Sequence, residues 1–330
     1  WRGSPGYTKI CDGGVKNLGR KGRTLYQRLS IFSGNAHPEF ARRVCEVLGV
    51  ELGGVDVFEF SNENIFVRYH SSIRAHDVFI IQPIASPVNR SLMELFIMLD
   101  AARRASADRI TAVIPYFAYA RQDWKDRPRV PISARLMADL LETAGANRVL
   151  TMDLHSPQIQ GFFSIPVDNL MAAPVIASHI RTLNLANLTI VSPDAGGVGR
   201  ARVFAKRLDA RLAIIDKRRP APNVAQVLHV IGEVRDQDVV IFDDMVDTAG
   251  TLSLGVEALR REGAKRIFAA CTHPVLSGEA VERIEKSGLE KVFVTDTIPL
   301  KDQANRSQRF QVLSVAELFG EAIRRINEGS

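Results

Sequence analysis

The sequence predicts an α/β protein of two tandem wound parallel-sheet domains, and three observations carry that reading. Short β-branched runs recur along the chain, each followed by a segment of helical periodicity, as βαβ units require. The length of 330 residues exceeds what a single hydrophobic core usually organises. The same strand-helix grammar fills both sides of a proline-bounded loop at residues 168–174, which is the expected boundary.

In the first half, strands are expected at residues 29–32, 77–81, 110–114 and 148–152, with helices at 38–48, 92–105 and 132–144. In the second half, strands are expected at 189–192, 211–215, 239–242, 266–271 and 291–295. Helices at 196–208, 251–262 and 280–286 would cover that sheet, and 315–327 reads as a last amphipathic helix. Residues 1–28 are rich in Gly, Lys and Arg without apolar periodicity and are expected to form a disordered extension.

Composition excludes several classes. The longest apolar runs, such as 78–81 and 239–242, fall far short of the roughly 20 residues that cross a bilayer, so no membrane partner is expected. Cys11, Cys45 and Cys271 lie far apart with no CxxC spacing, which argues against a zinc site or a disulfide framework and for a reducing cytoplasm. The net charge of +6 is spread along the chain and rarely interleaved with aromatics. Small anionic substrates account for it as well as nucleic acid does, and a solvated basic surface covers most of these residues.

The sharpest motif is DDMVDTAGT at residues 243–251, expected directly after a buried strand and before an amphipathic helix. In wound sheets ligands sit beyond the carboxyl ends of strands, and a helix entrance offers free N–H groups to an anion. Thr248, Ala249, Gly250 and Thr251 thus suit a phosphate cradle, with Gly250 permitting close backbone approach. Asp243 and Asp244 can accept from vicinal sugar hydroxyls or hold water on a magnesium ion. The bland alternative is a surface turn whose acids cap the helix, which explains Asp247 or Thr248 but not the acidic pair.

Three further segments repeat the strand-end logic. YARQDWKDRPRVPISARL carries Arg121, Gln122 and Asp123, where a guanidinium can stack on a base or pair with phosphate. TMDLHSPQIQGFF places His155 beyond a strand, and VSPDAGGVGRA places Asp194 before paired glycines and a helix. Taken singly, His155 reads as a satisfied structural histidine, Arg121 as a surface salt-bridge residue and the glycines as a turn.

Together these segments resemble the class I ribose-phosphate pyrophosphokinase family, in family order, from about residue 29 to 327. The 243–251 stretch alone also resembles the loop of type I phosphoribosyltransferases. The resemblance implies domains of the phosphoribosyltransferase kind, with 29–170 plus 308–330 forming a pyrophosphokinase domain and 171–307 a phosphoribosyltransferase-like one. It implies a homohexamer built from dimers, in which Phe60, Asn62 and Asn64 of one subunit reach the adenine held by Arg121, Gln122 and Asp123 of another. His155 and Asp194 would organise Mg2+ and the ATP phosphates. Asp243, Asp244, Asp247, Thr248, Ala249, Gly250 and Thr251 would bind ribose 5-phosphate, Lys217 and Arg219 would be the basic pair of a mobile catalytic loop, and Ser72 and Arg74 would serve a regulatory site. Asn64 departs from the family, which usually carries an acid there; its amide oxygen still accepts from an exocyclic amine.

The implied reaction moves a pyrophosphoryl group from MgATP to the C1 hydroxyl of ribose 5-phosphate. Alternatives are a phosphoribosyltransferase, which would leave the Arg121, His155 and Lys217 segments without a job, and a non-catalytic regulatory homologue of the same fold.

Overall fold

The computed structural model describes residues 28–218 and 227–330. In chain order the first half contains β1 (Arg28–Ser33), α1 (Pro38–Leu48), β2 (Val55–Glu59), β3 (Ile65–Tyr69), β4 (His76–Ile81), α2 (Val88–Arg104), β5 (Arg109–Ile114), α3 (Ser133–Ala144), β6 (Arg148–Met152) and β7 (Val167–Leu170). The second half contains α4 (Ala173–Thr182), β8 (Thr189–Ser192), α5 (Val198–Leu208), β9 (Arg211–Arg218), β10 (Val227–Ile231), β11 (Asp238–Val246) and α6 (Gly250–Arg261). It ends with β12 (Arg266–Pro274), α7 (Ala280–Ser287), β13 (Val292–Thr295), α8 (Asp302–Arg306), β14 (Phe310–Leu313) and α9 (Ala316–Glu328).

Five parallel strands form the first sheet in the order β1-β4-β5-β6-β7, and seven form the second in the order β10-β9-β8-β11-β12-β13-β14. Among the described residues only β10, paired antiparallel with β9, breaks the parallel pattern of the second sheet. The central strands β4, β5 and β11 are buried along most of their length, as expected of strands covered on both faces. Helices must supply that cover, because a parallel crossover carries a helix across a sheet face.

One apolar cluster joins the halves. It includes Phe40 of α1, Ile176 of α4, Phe204 of α5, Phe242 of β11 and Phe319 of α9. Phe204 stacks on Phe242 at 3.8 Å between ring centroids, and Phe40 meets Phe319 edge-on at 5.3 Å. The last helix is also pinned to the first sheet by hydrogen bonds: Arg109, which pairs with buried Asp77, donates to the Ile326 carbonyl, and Asn327 donates to Asp77.

The structure departs from the sequence reading in several places. Arg28 belongs to β1, so the strand starts inside the stretch read as an extension; residues 1–27 lie outside the described residues. Within residues 308–330, α9 packs on α1 but β14 pairs with β13 on the second sheet. The β2–β3 hairpin was not anticipated, because its half-exposed residues carry charges that blur the alternation. It is tied to the first half by Asn35, beyond β1, whose side chain donates to the Val57 carbonyl, and by the ion pair between Arg90 of α2 and Glu59. Among the described residues no helix is long and apolar enough to cross a membrane.

Candidate active site

The acidic pair lies within β11, not after it. The strand was expected to end at Phe242, but its parallel pairing with β12 continues through Asp243, Met245 and Val246. Two carboxylates in sequence look like a strand end; the hydrogen-bonded ladder overrides that signal.

Asp244, 1% exposed, is gripped from two sides. His155 Nδ1 lies 2.8 Å from its Oδ2, and Arg200 Nη1 donates to its Oδ1 at 2.7 Å. The same guanidinium donates to Asp243 Oδ1 at 3.0 Å and to the His155 carbonyl at 3.2 Å. Arg200, on the first turn of α5, thus cross-links the acidic pair to the histidine. Sequence reasoning quoted its segment but missed it, although a cation one turn into a helix that starts beside a strand-end Asp was a usable signal.

The electrostatics follow from this packing. Burial, then the charge of Asp244, pushes the Asp243 carboxyl up to about 8. Burial also opposes ionisation of Asp244, but the His155 hydrogen bond and the Arg200 charge outweigh it and hold that carboxyl well below the usual carboxylate range. The hydrogen bond to Asp244 raises His155, against burial. Two adjacent carboxylates resist ionising together even with Arg200 bonded to both, so the two members shift in opposite directions.

Beyond β11 the chain enters α6 through a cap at Ala249 with φ 58° and ψ 8°. The left-handed residue is Ala249 and not the neighbouring glycine, at a cost of about 1–2 kcal/mol for a side chain with a Cβ. Such strain persists where the surroundings hold it and often marks a ligand loop. Gly250 has a different role. A Cβ there would meet nothing nearer than Thr248 Oγ1 at 3.9 Å, so the missing side chain leaves open space at the helix entrance.

A cavity of about 500 Å³ lies against these groups. Asp243, Asp244, Asp247, Thr248, Ala249, Gly250 and Thr251 line it, together with His155, Asp194, Arg200 and Arg121. Asp194 Oδ1 accepts from the Gly197 N–H at 2.9 Å, shaping the turn into α5. Arg121 reaches in from the first half and donates to Asp247 Oδ2 at 2.8 Å.

Other expected residues stand elsewhere. Phe60, Asn62 and Asn64 sit on the hairpin turn outside this cavity, with Phe60 half exposed against Phe58 and Phe66. Gln122 accepts from the Ser133 hydroxyl and joins Arg121, Tyr119 and Met245 around an adjoining cleft of about 360 Å³. Asp123 is half buried and lines neither space. Ser72 and Arg74 are exposed on the β3–β4 connection. Lys217 lies in β9 with its backbone opposite Leu228, and Arg219 lies outside the described residues. Among the described residues no three His, Cys, Asp or Glu side chains are grouped to hold a metal ion.

Comparison with known proteins decides the family. Residues 29–145 match the N-terminal domain of ribose phosphate pyrophosphokinase, and residues 217–330 match the phosphoribosyl synthetase-associated domain. A ribose-phosphate pyrophosphokinase of Clostridium acetobutylicum is 52% identical over 304 residues, spanning 92% of this chain and 95% of the relative. The chain belongs to the ribose-phosphate pyrophosphokinase family. The Bacillus subtilis member is 51% identical over 302 residues, again 92% of this chain and 95% of the relative. The crystal structure of phosphoribosylpyrophosphate synthetase from Mycobacterium smegmatis superposes with a TM-score of 0.87 at 42% identity, covering 92% of this chain and 100% of that one. The family fold therefore extends over both sheets and the cavity between their carboxyl ends.

Proposed function

We propose that this chain transfers the pyrophosphoryl group of MgATP to the C1 hydroxyl of ribose 5-phosphate, giving 5-phosphoribosyl 1-pyrophosphate and AMP for nucleotide biosynthesis. The observation that carries the reading is the cavity itself, which gathers an acidic pair, a helix entrance, the Asp194 turn, His155 and Arg121 around one pentose-sized space.

In this reading the 5-phosphate sits on the N–H groups at the start of α6, flanked by the Thr248 and Thr251 hydroxyls. The acidic pair takes the ring hydroxyls, which need acceptors in just the place where Asp243 and Asp244 project. Arg121 and Gln122 hold the nucleotide in the adjoining cleft, with Asp123 beside them and with Phe60, Asn62 and Asn64 supplied from the hairpin of a neighbouring subunit. The oligomer would be a homohexamer of dimers, working in the cytoplasm.

The donor set also fits magnesium. This hard cation keeps several waters and prefers substrate phosphates with one or two carboxylates, and the cavity-lining Asp194 carboxylate at the turn into α5 is a donor of that kind. Asp194 offers a carboxylate and His155 orders the water and phosphates beside it. When bound, the ion would neutralise charge on the β-phosphoryl oxygens.

The sugar's O1 attacks the β-phosphorus in line, the bond to the α-phosphate bridging oxygen breaks, and AMP leaves. Such a transfer asks for alignment and positive charge more than covalent help. Lys217 and Arg219 would supply that charge over the bound substrates, and their closure would exclude water as a competing acceptor. The test is AMP release from ATP by the purified chain, with ribose 5-phosphate and no nucleobase. Release that depends on ribose 5-phosphate supports the reading; a folded chain that makes no product favours the non-catalytic homologue.

A further inference from the structure

Asp153 adopts φ 40°, a left-handed conformation in the turn between β6 and His155. It is held there from the second sheet. Thr272 of β12, fully buried, donates its hydroxyl to Asp153 Oδ2 at 2.6 Å, and the Ala172 N–H donates to the same oxygen at 3.0 Å. The neighbouring His273, also buried, places Nε2 3.1 Å from the Met152 carbonyl and 3.3 Å from that of Asp153. Carbonyls only accept, so Nε2 carries the proton and Nδ1 accepts from the Thr297 hydroxyl at 2.9 Å. Burial keeps this imidazole neutral, in agreement with that tautomer.

The register of β11 on β12 gives these contacts a common purpose. Asp243 opposes Cys271 and Met245 opposes His273, so Asp244 and Thr272 stand level on adjacent strands. Asp244 holds His155, and Thr272 holds Asp153 two residues earlier. We infer that Thr272, backed by His273, is a positioning residue that sets His155 against Asp244 across the two halves of the molecule. The inference rests on the proposed function only for its activity readout. The Thr272 hydroxyl bonds Asp153, which is not among the residues lining the cavity; it acts by fixing the strained turn from which His155 projects.

The test compares Thr272→Val, which removes the hydroxyl at nearly constant volume, with Thr272→Ser, which keeps it. Two readouts are taken: ring 15N signals of His155, and kcat for AMP release. Thr272→Val should move the His155 signals and lower kcat at least ~10-fold with little change in KM, because small misplacements of a site group cost that much or more. Thr272→Ser should restore both. In a His155→Ala background Thr272→Val should add less than about twofold, since the two changes act through one group. Unmoved His155 signals in folded Thr272→Val, or an undiminished effect in the His155→Ala background, would overturn the inference. If Thr272→Val does not fold, Asp153→Gly tests the same contact, because glycine takes the left-handed conformation without strain while losing the acceptor of the Thr272 hydroxyl; it must displace the His155 signals. The spectroscopic arm stands even if wild type releases no AMP, so failure of the inference and failure of the proposed function are separate outcomes.

Discussion

His155 Nδ1 and Asp244 Oδ2 lie 2.8 Å apart, although one residue follows β6 of the first sheet and the other is in β11 of the second. With Arg200 bonded to both carboxylates of the acidic pair, this contact joins the two halves at the cavity floor. A change that removes the Asp244 charge while keeping its shape should therefore disturb nucleotide and sugar sides together.

Asp244→Asn is expected to lower kcat ~100-fold or more, because it weakens two charge-assisted contacts that orient groups around the transferring phosphoryl, each worth a few kcal/mol in such sites. Steady-state AMP release with circular dichroism as a folding control measures it. A folded variant with wild-type turnover would remove Asp244 from the account.

Lys217→Ala should also reduce kcat ~100-fold or more, the scale of one lost electrostatic contact to a transition state. Its effect should fall on kcat rather than on the binding of ribose 5-phosphate, since the proposed phosphate cradle is at the start of α6. Equal loss in KM alone would assign Lys217 to ground-state binding.

Gly250→Ala separates ligand space from packing space. The added methyl meets nothing nearer in the protein than Thr248 Oγ1 at 3.9 Å, and alanine favours a helix over glycine by about 1 kcal/mol. The melting temperature should hold or rise, while KM for ribose 5-phosphate rises ~10-fold as the charge-assisted contacts to phosphate lengthen. An unchanged KM would mean that the phosphate does not approach this backbone.

Stability should fall in mild acid through His37. This residue is buried just before α1, and burial lowers its pKa from 6.5 against the pull of Asp296 and with a smaller lowering from Arg43; Glu39 also faces it. Between the depressed folded value and the ordinary value the unfolded chain binds more protons, so stability rises with pH in that window. Raised groups such as His155 act with the opposite sign, so the comparison must be with a variant. The melting temperature of wild type should drop more steeply from about pH 7 to pH 5 than that of His37→Gln, given an ordinary histidine value of about 6.5. Parallel curves would contradict the assignment.

The site was legible in the sequence wherever a strand end, a turn and a helix start coincide. That pattern located Asp194, Gly250 and Thr251, which share the cavity with the acidic pair. It misjudged the length of β11, because adjacency of two acids looks like a boundary while pairing with β12 is a tertiary effect. Thr272 was invisible for a related reason: it acts by reaching a partner far away in sequence and stands in no motif whose local chemistry announces it, whereas Arg200 follows Asp194 within one quoted segment and was overlooked there. The left-handed Ala249 could not be read either, since glycine next door was the cheaper residue for that conformation.

The most direct measurement is a crystal structure of the chain with ribose 5-phosphate and a non-hydrolysable ATP analogue. The account predicts the sugar phosphate on the N–H groups at the start of α6, its ring hydroxyls on Asp243 and Asp244, and O1 aligned with the β-phosphorus near His155 and Asp194. A pentose bound away from β11, or a nucleotide whose β-phosphorus lies out of reach of O1, would contradict it.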